Sequence, residues 1–298
     1  MKLGAFLILN TSLLAQLPPA AQWAATTRVQ YAITPNIVYG TQNGYELRLD
    51  VYDRIDVITP QPTLIFIHGG GWVGGTKEYI VTSLLPWMAQ GWNVVNVEYR
   101  LARVSLAPAA VEDCLCALRW VAKNADKYHF DLKRIVATGE SAGGHLALTT
   151  GMIPESSGLA RQCPGPALPA VAAIIDWFGV SDVDDLLEGP NERDYAVAWL
   201  GSRPDRNVVA RMVSPLTYVR PGLPPVFIIH GTADPTVPYS QASRLHEALD
   251  HAHVPNRLFA VANGKHGRFT AHQQIEIYTA IRGFLKENGI DPPTPAGE

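Results

Sequence analysis

The residues able to do chemistry in this 298-residue chain begin with a serine set among glycines, Gly139-Glu140-Ser141-Ala142-Gly143-Gly144. The segment follows the β-rich run 134–138 (RIVAT) and precedes a helical HLALTT stretch at 145–150. A serine raised on such a strand-to-helix turn exposes its Oγ, and only small neighbours avoid the strand and helix beside it. The N–H of Ala142, at the start of the helix, would face an oxyanion forming at Ser141. A second glycine run, His68-Gly69-Gly70-Gly71-Trp72, closes another β-rich stretch, TLIFIH. Consecutive glycines let the backbone turn and present bare N–H groups. Gly70 and Gly71 are therefore the expected partner donors, with His68 a structural turn residue.

A serine hydroxyl becomes nucleophilic near neutral pH only when a base takes its proton, and that base needs an orienting carboxylate. In this arrangement both follow the serine, acid first. His230-Gly231-Thr232-Ala233-Asp234 places Asp234 just past a strand, and Asn263-Gly264-Lys265-His266-Gly267 places His266 just past the last one. The order Ser141, Asp234, His266 results. Asp182, after the preceding strand, is the competing acid. His129, His145, His246, His251, His253 and His272 fall on expected helices or their ends, where packing or solvation is the default. His251 and His253 have no further predicted ligand, so no metal is expected.

The elements that must position these groups alternate from about residue 28 to 287. Strands are expected at 36–40, 46–52, 63–68, 93–99, 134–139, 171–178, 225–230 and 257–261. From TLIFIH onward most are continuous apolar runs, as in strands covered on both faces, whereas the first two alternate like an antiparallel edge hairpin. Helices are expected at 108–128, 238–253 and 269–288. Residues Val111, Leu115, Leu118 and Val121 supply the spacing of the first. The pattern implies one α/β domain over 28–290, with a mostly parallel eight-stranded sheet and helices on both faces. Residues 180–224 interrupt it as a small cap over the C-terminal edge of the sheet, and 291–298 read as a tail. Trp72, Tyr195 and Trp199 are candidate walls of an aromatic acyl pocket, with core packing the competing reading.

Lys plus Arg number 24 and Asp plus Glu 27, which leaves no basic footprint for nucleic acid and no polybasic membrane anchor. A small or neutral ligand fits that balance, while the cap and the secretory-signal reading of residues 1–24 fit a polysaccharide-linked ester. The three cysteines are too few for a disulfide scaffold. Cys114 and Cys116 diverge on a helix and do not suit each other, either can reach Cys163, and inert thiols are the default expectation. Residues 1–24 read as a secretory signal, with Lys2 before an apolar stretch, or alternatively as an N-terminal arm. The stretch is too short for a stable membrane span.

Together these motifs resemble the α/β-hydrolase superfamily, in the esterase branch carrying HGGG and GESAGG. That branch holds hormone-sensitive-lipase-like carboxylesterases and bifunctional feruloyl and acetyl-xylan esterases. The resemblance extends over residues 40–287 and includes Glu98-Tyr99-Arg100-Leu101-Ala102, Leu118-Arg119-Trp120-Val121 and Ser214-Pro215. These blocks are more similar to the feruloyl/acetyl-xylan type. It implies Ser141 as nucleophile, His266 as base, Asp234 as orienter, an oxyanion hole of Gly70, Gly71 and Ala142, and no cofactor. Kynurenine formamidases and certain peptidases share the scaffold and give the alternative, amide hydrolysis. Gly71, standing where the formamidase motif has tyrosine, departs from that pattern.

Overall fold

The computed structural model describes residues 17–290. Eight strands, β1 (Tyr31–Gln42), β2 (Tyr45–Arg54), β3 (Gln61–Ile67), β4 (Asn93–Val97), β5 (Phe130–Glu140), β6 (Ala173–Trp177), β7 (Val226–Gly231) and β8 (Asn256–Val261), form one sheet. Their order is β1-β2-β4-β3-β5-β6-β7-β8. β1 and β2 pair antiparallel, as do β2 and β4, and every later pairing is parallel. The expected edge hairpin is present, but β1 begins at Tyr31 instead of residue 36. Register shifts between Thr34 and Ile37 and between Val38 and Gly40 break the alternation that a sequence pattern relies on.

Nine helices accompany the sheet among the described residues: α1 (Pro19–Gln30), α2 (Val81–Met88), α3 (Ala109–Lys123), α4 (Ala125–Tyr128), α5 (Ala142–Met152), α6 (Asp194–Leu200), α7 (Arg206–Val213), α8 (Tyr239–His251) and α9 (Ala271–Glu287). Alternate residues of β3 enter two separate cores. Ile65 and Ile67 pack with α3, α5 and α8 on one face, whereas Leu64 and Phe66 pack with α2 and α9 on the other. All of β3, β4, β6 and β7 is buried, which is why their sequences run apolar without alternation. The two edge strands, β1 and β8, are less buried.

Two expectations need correcting. The helix expected at 108–128 breaks at Asn124, whose side-chain amide donates to the Trp120 carbonyl (2.8 Å) and competes with the helical pattern. Cys116 is not an inert thiol; it is disulfide-bonded to Cys163, while Cys114 is free and buried. α3 turns Cys116 toward the loop after α5 and Cys114 into the core, so one of two neighbouring cysteines finds a partner. Residues 180–224 do carry α6 and α7, but Trp199 anchors them from within the core. The apolar stretch of the proposed signal lies outside the described residues, whereas residues 19–30 form α1, whose Trp23 packs on the α2–α9 core. No helix among the described residues is long and apolar enough to cross a membrane.

Candidate active site

The chain leaves β3 for β4 on one side and β5 for β6 on the other. The loops after these adjacent strands therefore diverge and open a crevice at the C-terminal edge of the sheet. Pairing of Ile67 with Gly139 brings the two loop starts level. Ser141 sits at the head of the β5 loop with φ 58° and ψ −118°, a conformation L-residues rarely adopt. Neighbouring bonds hold it there. Its N–H donates to the Trp177 carbonyl (2.8 Å), and its carbonyl accepts from the His145 N–H (3.0 Å). α5 then passes so close to β3 that a Cβ at Gly143 would collide with the Ile67 carbonyl.

The β3 loop supplies the facing wall. The Gly70 carbonyl accepts from the N–H groups of Val73 (3.1 Å) and Gly74 (3.0 Å), which closes a tight turn. Gly71 has φ 58° and its Cα lies against Tyr195, whose Cβ would be 2.8 Å from any added methyl. Among the described residues, the N–H groups of Gly70, Gly71 and Ala142 donate to no protein acceptor. Three unpaired donors around one serine are suited to a developing negative charge.

Asp234 and His266 arrive from the loops after β7 and β8. His266 Nδ1 donates to Asp234 Oδ2 at 2.7 Å, which fixes the tautomer and leaves Nε2 as the acceptor. The Asp234 side chain is fully buried, and its Oδ1 accepts from the N–H groups of Thr236 (2.8 Å) and Val237 (3.0 Å). Burial alone would raise its pKa, but the His266 bond and charge and the two N–H donors outweigh it and hold the carboxyl below its usual range. Phe178 meets the His266 ring edge-on, with centroids 4.7 Å apart. Ser141 and His266 line one cavity of about 640 Å³ together with Gly70, Gly71 and Tyr195. The competing acid, Asp182, is engaged elsewhere, 2.7 Å from Arg244.

The three aromatic candidates divide. Tyr195 lines the cavity and donates its hydroxyl to the Thr236 carbonyl (3.0 Å). Trp72 and Trp199 do not line it. Both are fully buried and stack on each other at 4.2 Å beneath the glycine loop, so the acyl-pocket expectation is corrected for them. The cause is local. Trp72 has φ 60°, and its Nε1 donates to His145 Nδ1 (3.1 Å), while His145 Nε2 donates to the Val213 carbonyl (2.8 Å). Burial pushes the His145 pKa down to about 4, keeping it neutral and structural. His68 is likewise structural: burial lowers it to about 4, and its ring stacks on Tyr99.

Two neighbours of the site escaped the sequence reading. Phe178 lies just past an apolar strand, and nothing in its sequence setting distinguishes it from core. Glu140 lies inside the serine motif yet received no role. Its carboxylate Oε1 accepts from Ser83 Oγ at 2.9 Å, and it lines the cavity beside Ser141.

Known proteins share this architecture. The BD-FAE family model matches residues 49–249, and a TAP-like protein model matches residues 204–295. Esterase LipC of Mycobacterium tuberculosis is 31% identical over 254 residues, covering 77% of this chain. The chain spans about 60% of the length of that curated relative. Among solved structures, an esterase of Thermogutta terrifontis aligns with TM-score 0.72 and 28% identity over 90% of this chain and 95% of that one. A truncated carbohydrate esterase from gut microbiota aligns with TM-score 0.74 and 25% identity over 87% and 98% of the two chains. The family match spans β3 to β7, the strands that carry the serine loop, the glycine loop and the approach to Asp234, and the chain belongs to the BD-FAE family with the α/β-hydrolase fold.

Proposed function

We propose that the protein is a serine carboxylic ester hydrolase working through an acyl-enzyme on Ser141. The observation that carries the reading is the Asp234–His266 hydrogen bond, with His266 in a cavity shared with Ser141, Gly70 and Gly71. Ser141 Oγ attacks the ester carbonyl while His266 Nε2 takes its proton. The oxyanion accepts from Gly70, Gly71 and Ala142, and the His266 cation is stabilised by Asp234. Collapse breaks the bond to the alcohol oxygen, which leaves with the proton from His266. Water, deprotonated by the same ring, then releases the acid and restores Ser141. A fluorophosphonate probe labels the protein at Ser141, and Ser141→Ala abolishes labelling and lowers kcat on p-nitrophenyl acetate on the order of 10⁶-fold. Near-wild-type turnover in a folded Ser141→Ala protein would overturn the reading.

Within that class we propose feruloyl or acetyl-xylan ester hydrolysis, with Tyr195 as a wall of the acyl pocket. Supporting it are the family, a carbohydrate esterase among the structural neighbours, and a cavity larger than an acetyl group needs. Methyl ferulate and acetylated xylan should be cleaved in preference to p-nitrophenyl decanoate; the reverse order points to a general carboxylesterase. An oxidising compartment, secreted or periplasmic, suits the Cys116–Cys163 bond.

A further inference from the structure

A second cavity of about 600 Å³ adjoins the first, and Glu140, Phe178 and Gly267 line both. It lies between α2 and α9, on the face of the sheet opposite α3 and α5. Residues four apart line it from both sides: Thr82 and Pro86 from α2 with Gln90 in the turn just past its end, and Gln274, Tyr278 and Arg282 from α9. At 1.5 Å per residue the α9 stripe is about 12 Å long. Tyr278 forms the floor between the helices, edge-on to Trp87 at 6.2 Å and tilted against Trp177 at 5.4 Å.

We infer that this groove binds the alcohol half of the ester, and that the alcohol is hydroxyl-rich and uncharged, as a sugar is. The inference rests on the proposed ester hydrolysis at Ser141. Its first support is position. The leaving oxygen must come within reach of His266, which protonates it. The groove opens at Gly267, the residue after His266, so an alcohol larger than ethanol held at His266 extends into it. The acyl side is instead bounded by Gly71 and Tyr195, across the serine.

The second support is the lining. Among the described residues, the side chains of Thr82, Gln274 and Arg282 make no hydrogen bond or ion pair with the protein. An amide, a hydroxyl and a guanidinium offer donors and acceptors along the whole groove. An alkyl chain laid over them would desolvate these groups without repayment, whereas ring hydroxyls would pair with them. Tyr278 supplies an apolar face for the ring carbons. Glu140 at one end and Arg282 on the wall leave the groove without a net charge to favour an ionic alcohol.

The test holds the acyl group constant and varies the alcohol, comparing mono-acetylated xylobiose with ethyl acetate. For the wild type, kcat/KM for the sugar ester exceeds that for ethyl acetate, and free xylobiose inhibits competitively. Gln274→Ala and Arg282→Ala, both at solvent-accessible positions of α9, each reduce the ratio of the two kcat/KM values by roughly five- to tenfold, the size of one lost hydrogen bond. The loss falls in KM for the sugar ester. Thr82→Trp, which fills the groove, reduces the ratio further and abolishes xylobiose inhibition. An unchanged ratio in all three variants overturns the groove assignment while ethyl acetate hydrolysis persists. Absence of ethyl acetate hydrolysis and of fluorophosphonate labelling in the wild type would instead overturn the esterase reading beneath it.

Discussion

The two cavities that meet at Glu140 are built in opposite ways. The one holding Ser141 and His266 is made of loops at strand ends, and its working groups are backbone N–H donors, a strained serine and a buried carboxylate. The one between α2 and α9 is made of side chains on two helix faces, and its backbone is paired within the helices. The first therefore tolerates almost no substitution, since each group is fixed by a close approach or by a shared hydrogen bond. The second can change its lining one residue at a time without disturbing the sheet. In the proposed reading, reaction type and the fit of the acyl group are thus set on one side of Glu140 and choice of the alcohol on the other.

Substitutions on the loop-built side should act on every substrate alike. Asp234→Asn leaves the shape of the site but offers His266 Nδ1–H a poorer acceptor and can favour the wrong tautomer. The expected loss in kcat is about 10⁴-fold, equal for ethyl acetate and a sugar ester. Steady-state kinetics on both substrates check it, and a loss confined to the sugar ester would break the distinction between the cavities. Gly71→Ala comes next. A methyl group at φ 58° would press on Tyr195 and move the Gly71 N–H. Loss of one oxyanion donor predicts a 10²–10³-fold fall in kcat with KM little changed.

This division also explains what could be read in advance. The sheet was legible because buried parallel strands carry continuous apolar runs. Ser141, Gly70, Gly71, Asp234 and His266 stood out because their surroundings require glycine, or because their order along the chain is restricted. Helix faces leave no such mark. α2 is short and contains Pro86, so neither its existence nor its stripe shows in a periodicity, and the groove it shares with α9 depends on a tertiary pairing. Trp72 misled for a related reason. Adjacency to the glycine loop suggested a pocket wall, but φ 60° turns its indole under the loop, and a backbone angle at a non-glycine residue is invisible in sequence. Cys116 and Cys163 were open to pairing, yet only the rotation of α3 decides which of two cysteines faces the partner.

Glu140 belongs to both cavities, and it should give the smallest and most discriminating effect. Ser83 from α2, Tyr278 from α9 and His266 from the loop after β8 surround it. Burial raises its pKa above the ordinary glutamate range, while the Ser83 hydroxyl and the charge of His266 pull it partly back. As a carboxylate it favours the cationic His266 that forms during attack. Glu140→Gln removes that charge at every pH and should lower kcat about fivefold near pH 8, close to the ~1 kcal/mol of a solvent-screened ion pair. As pH falls through the raised pKa, the wild-type carboxylate takes up a proton and comes to match the variant. The wild-type to Glu140→Gln ratio in kcat should therefore shrink from alkaline to acidic pH, with the change beginning above the range of an unperturbed glutamate. A ratio that stays flat from pH 5 to 9 would mean that Glu140 contributes shape to the dividing wall and no charge to the reaction.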